Sequence, residues 1–250
     1  MRSGSTLLKA LLAEAPDVSN LPEFDVYPLL QFHSLKRYLV MATRSHKKII
    51  VFKQPPLLGF QEKHPYRQVG YPYIPFKHDK IILLVRNAAD AVLSLETLLK
   101  ATAPREYYLA WGIEKLVDYW CVVYDSALKT LRNFNPDQVY CLRYEDLVAE
   151  PKKITQALYA FIGSKKNEGV DSYSQPKNFF WRWGLDDAGE LIKSLKVSGG
   201  KRHPENEVLK EIIKNSPRLR DIYQKFGYSF PDGQPLPIQQ SEVVKSIFTG

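Results

Sequence analysis

The run at residues 80–85 (KIILLV) constrains the fold of this chain more than any other segment. Its apolar residues do not alternate with polar ones, which is typical of a parallel strand that is covered on both faces. A helix is predicted soon after it, at residues 90–100. Because parallel strands are joined by crossover connections, we expect a sheet that is flanked by helices.

The rest of the chain repeats this succession of short apolar strands and helices. Further strands are predicted at residues 48–52 and 138–143. Helices are predicted at residues 6–15, 29–42, 106–133, 151–162 and 205–226, the last of them interrupted by Pro217. The pattern indicates an α/β fold with a parallel sheet, in one domain at residues 1–230. A Pro/Gln-rich tail is predicted at residues 231–250.

Composition narrows the function classes. Lys and Arg outnumber Asp and Glu by 35 to 27, which favours an anionic partner, although a basic surface kept for solubility fits as well. The two cysteines and five histidines lack metal-ligand spacing, so no metal is expected. No apolar stretch is long enough to span a bilayer and no secretory signal begins the sequence. We therefore expect a cytoplasmic protein without stable membrane insertion; the Golgi lumen is the alternative if an N-terminal anchor has been removed.

A candidate anion-binding loop precedes the first predicted helix. It consists of Arg2, Ser3, Gly4, Ser5 and Thr6. Gly4 lets a ligand approach the backbone, and Ser5 and Thr6 supply hydroxyl donors. The free N–H groups of the first helical turn favour negative charge, and Arg2 adds a forked cation. A simple helix cap is the alternative interpretation.

Residues that follow the other strands are further candidates, because ligands of parallel sheets bind at the carboxyl ends of the strands. These residues are Lys53, Arg86 and the pair Arg143-Tyr144. Arg86 and Ser94, about two helical turns apart, form a two-point grip for a phosphate; a surface ion pair of Arg86 with Asp90 is the alternative.

Three motifs in this order resemble the PAPS-dependent sulfotransferase family, nearest its tyrosylprotein and carbohydrate branch. They are R-S-G-S-T-L-L, V-R-N-x-x-D-A-V-x-S and L-R-Y-E-D-L-V-x-x-P, and the resemblance spans residues 2–163, with a weaker match to residue 228. It implies a P-loop-like three-layer sandwich, a central parallel sheet flanked by helices. Only Met1 precedes the first motif, so the first central strand of that fold is expected to be missing, either because the chain is truncated or because its start is assigned too far downstream.

The resemblance also implies a donor and its binding residues. The donor would be 3′-phosphoadenylyl sulfate (PAPS), the product adenosine 3′,5′-bisphosphate (PAP), and no metal would be needed. The first loop would hold the 5′-phosphosulfate, Arg86 and Ser94 the 3′-phosphate, and Tyr144 would reach the nucleotide. Ser198 and Lys201 lie in a stretch that loosely resembles the family's late basic loop over the 3′-phosphate, with a solvated turn as the alternative.

Catalytic roles follow from the same resemblance. Glu23 stands where the tyrosylprotein branch carries its catalytic glutamate, and His33 is the rival general base. Lys53 and Arg2 would stabilise charge on the leaving phosphate. Glu145 and Asp146 are interpreted as helix-start or packing residues.

No sequence motif identifies the acceptor or the oligomeric state. A hydroxyl of a small molecule, a carbohydrate or a peptide fits the chemistry, and a homodimer stays open. A non-catalytic binder of anionic polymers is one alternative, although no aromatic nucleic-acid signature is present and no nucleic-acid partner is expected. A nucleotide kinase of P-loop architecture is another, but the G-x-x-x-x-G-K-[ST] pattern is absent.

Overall fold

Short parallel strands and longer helices make up the computed structural model, which describes residues 4–20, 47–51, 79–102, 111–174, 194–199 and 206–249. The strands are β1 (Val18–Asn20), β2 (Ile49–Val51), β3 (Ile81–Val85) and β4 (Val139–Arg143). The helices are α1 (Ser5–Leu12), α2 (Ala88–Thr102), α3 (Ile113–Leu131), α4 (Tyr144–Ala149), α5 (Pro151–Ile162), α6 (Glu207–Lys214), α7 (Pro217–Phe226) and α8 (Gln240–Phe248).

The strands pair in parallel, as the sequence pattern predicts. β1 pairs with β2, and β3 pairs with β4. In the second pair Ile81 lies opposite Val139 and Val85 lies opposite Arg143. Both strands of this pair therefore end at the same edge, directly before α2 and α4. The mixed α/β prediction is confirmed.

Helices cover both faces of the β3–β4 pair. Ile81, Leu83 and Val85 pack in one apolar cluster with residues of α2, α3, α6, α7 and α8. Ile82 and Leu84 pack in a second cluster with residues of α1 and α5. Because successive side chains of a strand point to opposite faces, both faces of β3 require apolar residues. This double coverage is the reason why residues 80–85 show no polar alternation.

Proline and glycine set the ends of several helices. α5 begins at Pro151 and ends before Gly163, whose φ of 73° is the left-handed value that glycine adopts most easily. Pro217 separates α6 from α7, and it occupies the first turn of α7, where no backbone N–H is needed. The predicted helix at residues 205–226 is therefore two helices.

Two elements escape the sequence pattern. β1 has only three residues (VSN), too few to show a periodicity. α8 lies within residues 231–250, the segment predicted as a tail, yet Val243, Val244 and Ile247 are buried in the first apolar cluster. The helix predicted at residues 29–42 lies outside the described residues.

Candidate functional site

The start of α1, at Gly4, Ser5 and Thr6, offers backbone donors to an anion. Gly4 is the N-cap of α1 and has a φ of 86°, in the left-handed region. Ser5 and Thr6 open the helix and are half-buried. The N–H groups of this first turn have no partner within the helix, so they favour an anion at this point. Arg2 and Ser3 lie outside the described residues.

Tyr144 joins this loop to the end of β3. A Cβ atom on Gly4 would lie 2.6 Å from Cε2 of Tyr144, so the ring is in direct contact with the glycine backbone. The guanidinium of Arg86 lies over the same ring, 4.6 Å from its centroid. Tyr144 therefore contacts two other predicted site residues, Gly4 and Arg86, at the carboxyl ends of β3 and β4.

Arg86 is held at the end of β3 and is largely withdrawn from solvent. Its side chain is 10% exposed and lies 4.0 Å from the carboxylate of Asp90. Its carbonyl oxygen accepts a hydrogen bond of 3.3 Å from the indole of Trp120. The proximity to Asp90 matches the predicted ion pair, but the arginine is not a surface residue. Ser94 follows Asp90 by four residues in α2 and so lies on the same face of that helix.

A carboxylate from α4 fixes the turn that follows Arg86. Oε1 of Glu145 accepts hydrogen bonds from the backbone N–H of Asn87 at 3.0 Å and from its side-chain amide at 3.1 Å. Oε2 accepts a hydrogen bond of 2.6 Å from the hydroxyl of Tyr228. Burial raises the pKa of Tyr228 well above its ordinary value, and the charge of Glu145 raises it further, so the hydroxyl remains a donor.

Residues at the end of α7 and just after it contact the carboxyl ends of β3 and β4. Nη1 of Arg143 donates hydrogen bonds to the carbonyl oxygens of Gly227 at 2.5 Å and Leu236 at 2.9 Å. The hydroxyl of Tyr223 accepts a hydrogen bond of 2.8 Å from the backbone N–H of Ala88. These contacts tie residues 223–236 to the ends of both strands. Arg143, a candidate at the carboxyl end of β4, therefore attaches this segment, and no local sequence pattern marks its partners Gly227 and Leu236.

Of the other predicted site residues, only Ser198 lies within the described residues. Ser198 is exposed in the short stretch 194–199, which pairs with residues 171–173 through the bonds Tyr173 N to Leu195 O and Val197 N to Asp171 O, at 2.9 and 2.8 Å. Glu23, His33, Lys53 and Lys201 lie outside the described residues.

Neither a metal centre nor a membrane span is found in the described part of the chain. Its His, Cys, Asp and Glu side chains form no group of three that could hold a metal ion. None of the helices in these ranges is long and apolar enough to cross a bilayer. Cys121 and Cys141 are both buried as free thiols, and burial raises the pKa of each to about 12.

Two comparisons with known proteins bear on this arrangement. Residues 59–168, which include Arg86, Glu145 and Tyr144, match the Sulfotransferase family. The fold is similar to a solved structure of a sulfotransferase domain from the curacin biosynthetic pathway, with a TM-score of 0.51 and 18% sequence identity over 92% of this chain and 95% of that one. No curated protein matches the chain significantly. The family match spans two of the three motifs and confirms their resemblance to sulfotransferases, and the solved structure shows a similar fold.

Proposed function

We propose that this chain transfers a sulfuryl group from PAPS to an acceptor hydroxyl, in a P-loop-like three-layer sandwich. The observation that carries the proposal is the contact of Tyr144 with both Gly4 and Arg86. It brings a helix N-terminus and a buried guanidinium together, two groups that bind anions. A donor with phosphates at both ends of its ribose needs two such groups. The coverage of both faces of β3 and β4 supports the three-layer fold.

The described residues fit the donor at two points. The backbone of Gly4 and the hydroxyls of Ser5 and Thr6 would hold the 5′-phosphosulfate, and a Cβ atom at position 4 would collide with the ring of Tyr144. Arg86 and Ser94 would hold the 3′-phosphate. The ring of Tyr144 contacts both Gly4 and Arg86, so it would hold the two phosphate-binding groups at a fixed separation. Arg2, Ser3, Ser198 and Lys201 complete the proposed donor site.

In the proposed reaction, the acceptor oxygen forms a bond to sulfur while the bond from sulfur to the donor's phosphate oxygen breaks. Glu23 would take the proton of the acceptor hydroxyl, with His33 as the rival base. Lys53 and Arg2 would neutralise the charge that develops on the leaving phosphate, which departs as part of PAP. The acceptor would be a hydroxyl of a small molecule, a carbohydrate or a peptide.

Arg86→Ala tests the donor site. Loss of a charge-assisted contact removes about 1.5–3 kcal/mol, so calorimetry should show PAP binding weakened by about ten- to a hundredfold. Arg132→Ala, at the exposed end of α3, is the matched control and should bind PAP normally. Unchanged PAP affinity in Arg86→Ala would refute the donor site.

Transfer of label from radioactive PAPS to a panel of sugars, tyrosine peptides and phenols tests the reaction itself. Glu23→Gln should suppress this transfer while PAP binding persists, because the base touches the acceptor and not the nucleotide. Full transfer by Glu23→Gln would shift the general base to His33.

A further inference from the structure

Two carboxylates hold the turn that carries Arg86: Asp90 from within α2, which accepts a hydrogen bond of 3.1 Å from the side-chain amide of Asn87, and Glu145 from the neighbouring helix α4. We infer that Glu145 is a positioning residue that sets the place of the Arg86 guanidinium for the donor's 3′-phosphate. This inference rests on the proposed function. Glu145 itself faces Asn87 and Tyr228, so it acts through the turn and does not touch the donor.

The contacts of Glu145 fall on the residue next to Arg86. Both hydrogen bonds to Oε1 come from Asn87, one from its backbone and one from its side chain, and Asn87 is only 9% exposed. The side-chain oxygen of Asn87 in turn accepts a hydrogen bond of 2.8 Å from the backbone N–H of Asp90, in the first turn of α2. Moving Asn87 would therefore shift Arg86 and the first turn of α2 together.

The carboxylate is also held in place by its other oxygen. Tyr228 is 1% exposed, and its hydroxyl donates to Oε2 at 2.6 Å. The neighbouring hydroxyl of Tyr223 accepts from Ala88, the residue after Asn87. Glu145 is thus fixed between the turn on one side and the buried tyrosines on the other, which is the arrangement that fine positioning of a binding group requires.

An electrostatic role and a positioning role of Glu145 predict opposite changes in phosphate affinity when its side chain is removed. A carboxylate close to Arg86 repels a bound phosphate, so loss of its charge alone would strengthen phosphate binding. Loss of the turn's support would weaken binding, because a small misplacement of a binding group is costly. The sign of the change therefore identifies the role.

The experiment compares two ligands by calorimetry on the full chain. PAP carries the 3′-phosphate, and adenosine 5′-monophosphate lacks it, so the ratio of their affinities reports the 3′-phosphate contact. In Glu145→Ala we expect this ratio to fall by about tenfold, with little change for the monophosphate. Glu150→Ala is the matched control, since Glu150 lies at the end of the same helix, is 56% exposed and pairs with Lys153.

Two further variants separate positioning from general damage. Glu145→Gln should keep the ratio within about twofold, because its amide oxygen can accept both bonds from Asn87 while its NH₂ donates to Tyr228. Combining Glu145→Ala with Arg86→Ala should lower the ratio no further than Arg86→Ala alone, because both act through one contact. If Glu145→Ala does not fold, Tyr228→Phe, which removes one bond, should lower the ratio in the same direction by less.

Three outcomes would overturn the inference. The ratio could stay unchanged or rise in Glu145→Ala, or both ligands could lose affinity equally, which is the mark of a purely structural role. The ratio could also fall as far in Glu145→Gln as in Glu145→Ala. Equal binding of the two ligands by the unaltered protein would instead overturn the proposed function, and this inference with it.

Discussion

Replacing Gly4 by alanine should damage the protein in two separable ways. The residue has a φ of 86°, a conformation that costs an L-residue about 1–2 kcal/mol. The new Cβ would also lie 2.6 Å from Cε2 of Tyr144, so the ring has to move. The ring supports the guanidinium of Arg86 at 4.6 Å, and its movement would disturb that contact as well.

Gly163→Ala isolates the first of these costs. Gly163 has a φ of 73°, but a Cβ at this position meets no atom within 4 Å. The difference between the two variants therefore measures the collision with Tyr144. An off-rotamer ring costs about 0.5–1.5 kcal/mol and a weakened cation–π contact about 0.5–1 kcal/mol. We expect Gly4→Ala to be about 2 kcal/mol less stable than Gly163→Ala.

Thermal unfolding and PAP calorimetry together test this expectation. The difference of about 2 kcal/mol corresponds to a Tm about 4–8 °C lower for Gly4→Ala than for Gly163→Ala. PAP binding should weaken in Gly4→Ala and stay unchanged in Gly163→Ala, whose site lies at the far end of α5. Equal Tm values for the two variants would refute the close packing of Tyr144 on the loop.

Two other predictions concern stability and reactivity. Hydrogen bonds from Ser164 Oγ at 2.6 Å and the backbone N–H of Lys165 at 2.9 Å lower the pKa of Asp17. The stability that Asp17 contributes is therefore present above its unfolded-state pKa of 3.8 and is lost as the pH falls through the lowered folded value. Asp17→Asn should lower the Tm by about 2 °C at neutral pH, and the gap to wild type should close in acid; a gap that persists there contradicts the assignment. Because burial raises the pKa of Cys121 and Cys141 to about 12, mass spectrometry should find both thiols unalkylated in the native protein at mildly alkaline pH and alkylated after addition of denaturant. Rapid labelling of the native protein would contradict their packing.

The meeting of Gly4, Arg86 and Tyr144 could be anticipated from the sequence. Arg86 and Tyr144 follow the strands β3 and β4, which their apolar runs predict. Gly4 precedes α1, whose start the Gly-Ser-Thr sequence predicts. Parallel pairing then brings the carboxyl ends of the strands to one edge. Local pattern and this topological rule were sufficient for Arg86 and Tyr144, whereas the place of Gly4 beside them was implied by the resemblance to sulfotransferases.

The support behind the site could not be anticipated in the same way. Glu145 and Tyr228 are separated by 83 residues, and Arg143 and Leu236 by 93. No periodicity links such positions, and a tyrosine after a helix is as compatible with ordinary core packing as with a hydrogen bond to a carboxylate. α8 was also hidden, because its short apolar face follows a stretch rich in proline and glutamine.

The attachment of residues 223–248 to β4 has a consequence for biosynthesis. Arg143 donates to the carbonyl oxygens of Gly227 and Leu236, and α8 packs beside β4 with Val243, Val244 and Ile247. While residues 223–248 are still inside the ribosomal exit tunnel, they cannot form these contacts, although the three sequence motifs have already emerged. Domains generally fold as units during synthesis, so the site should become competent to bind PAP only after release of this segment from the ribosome.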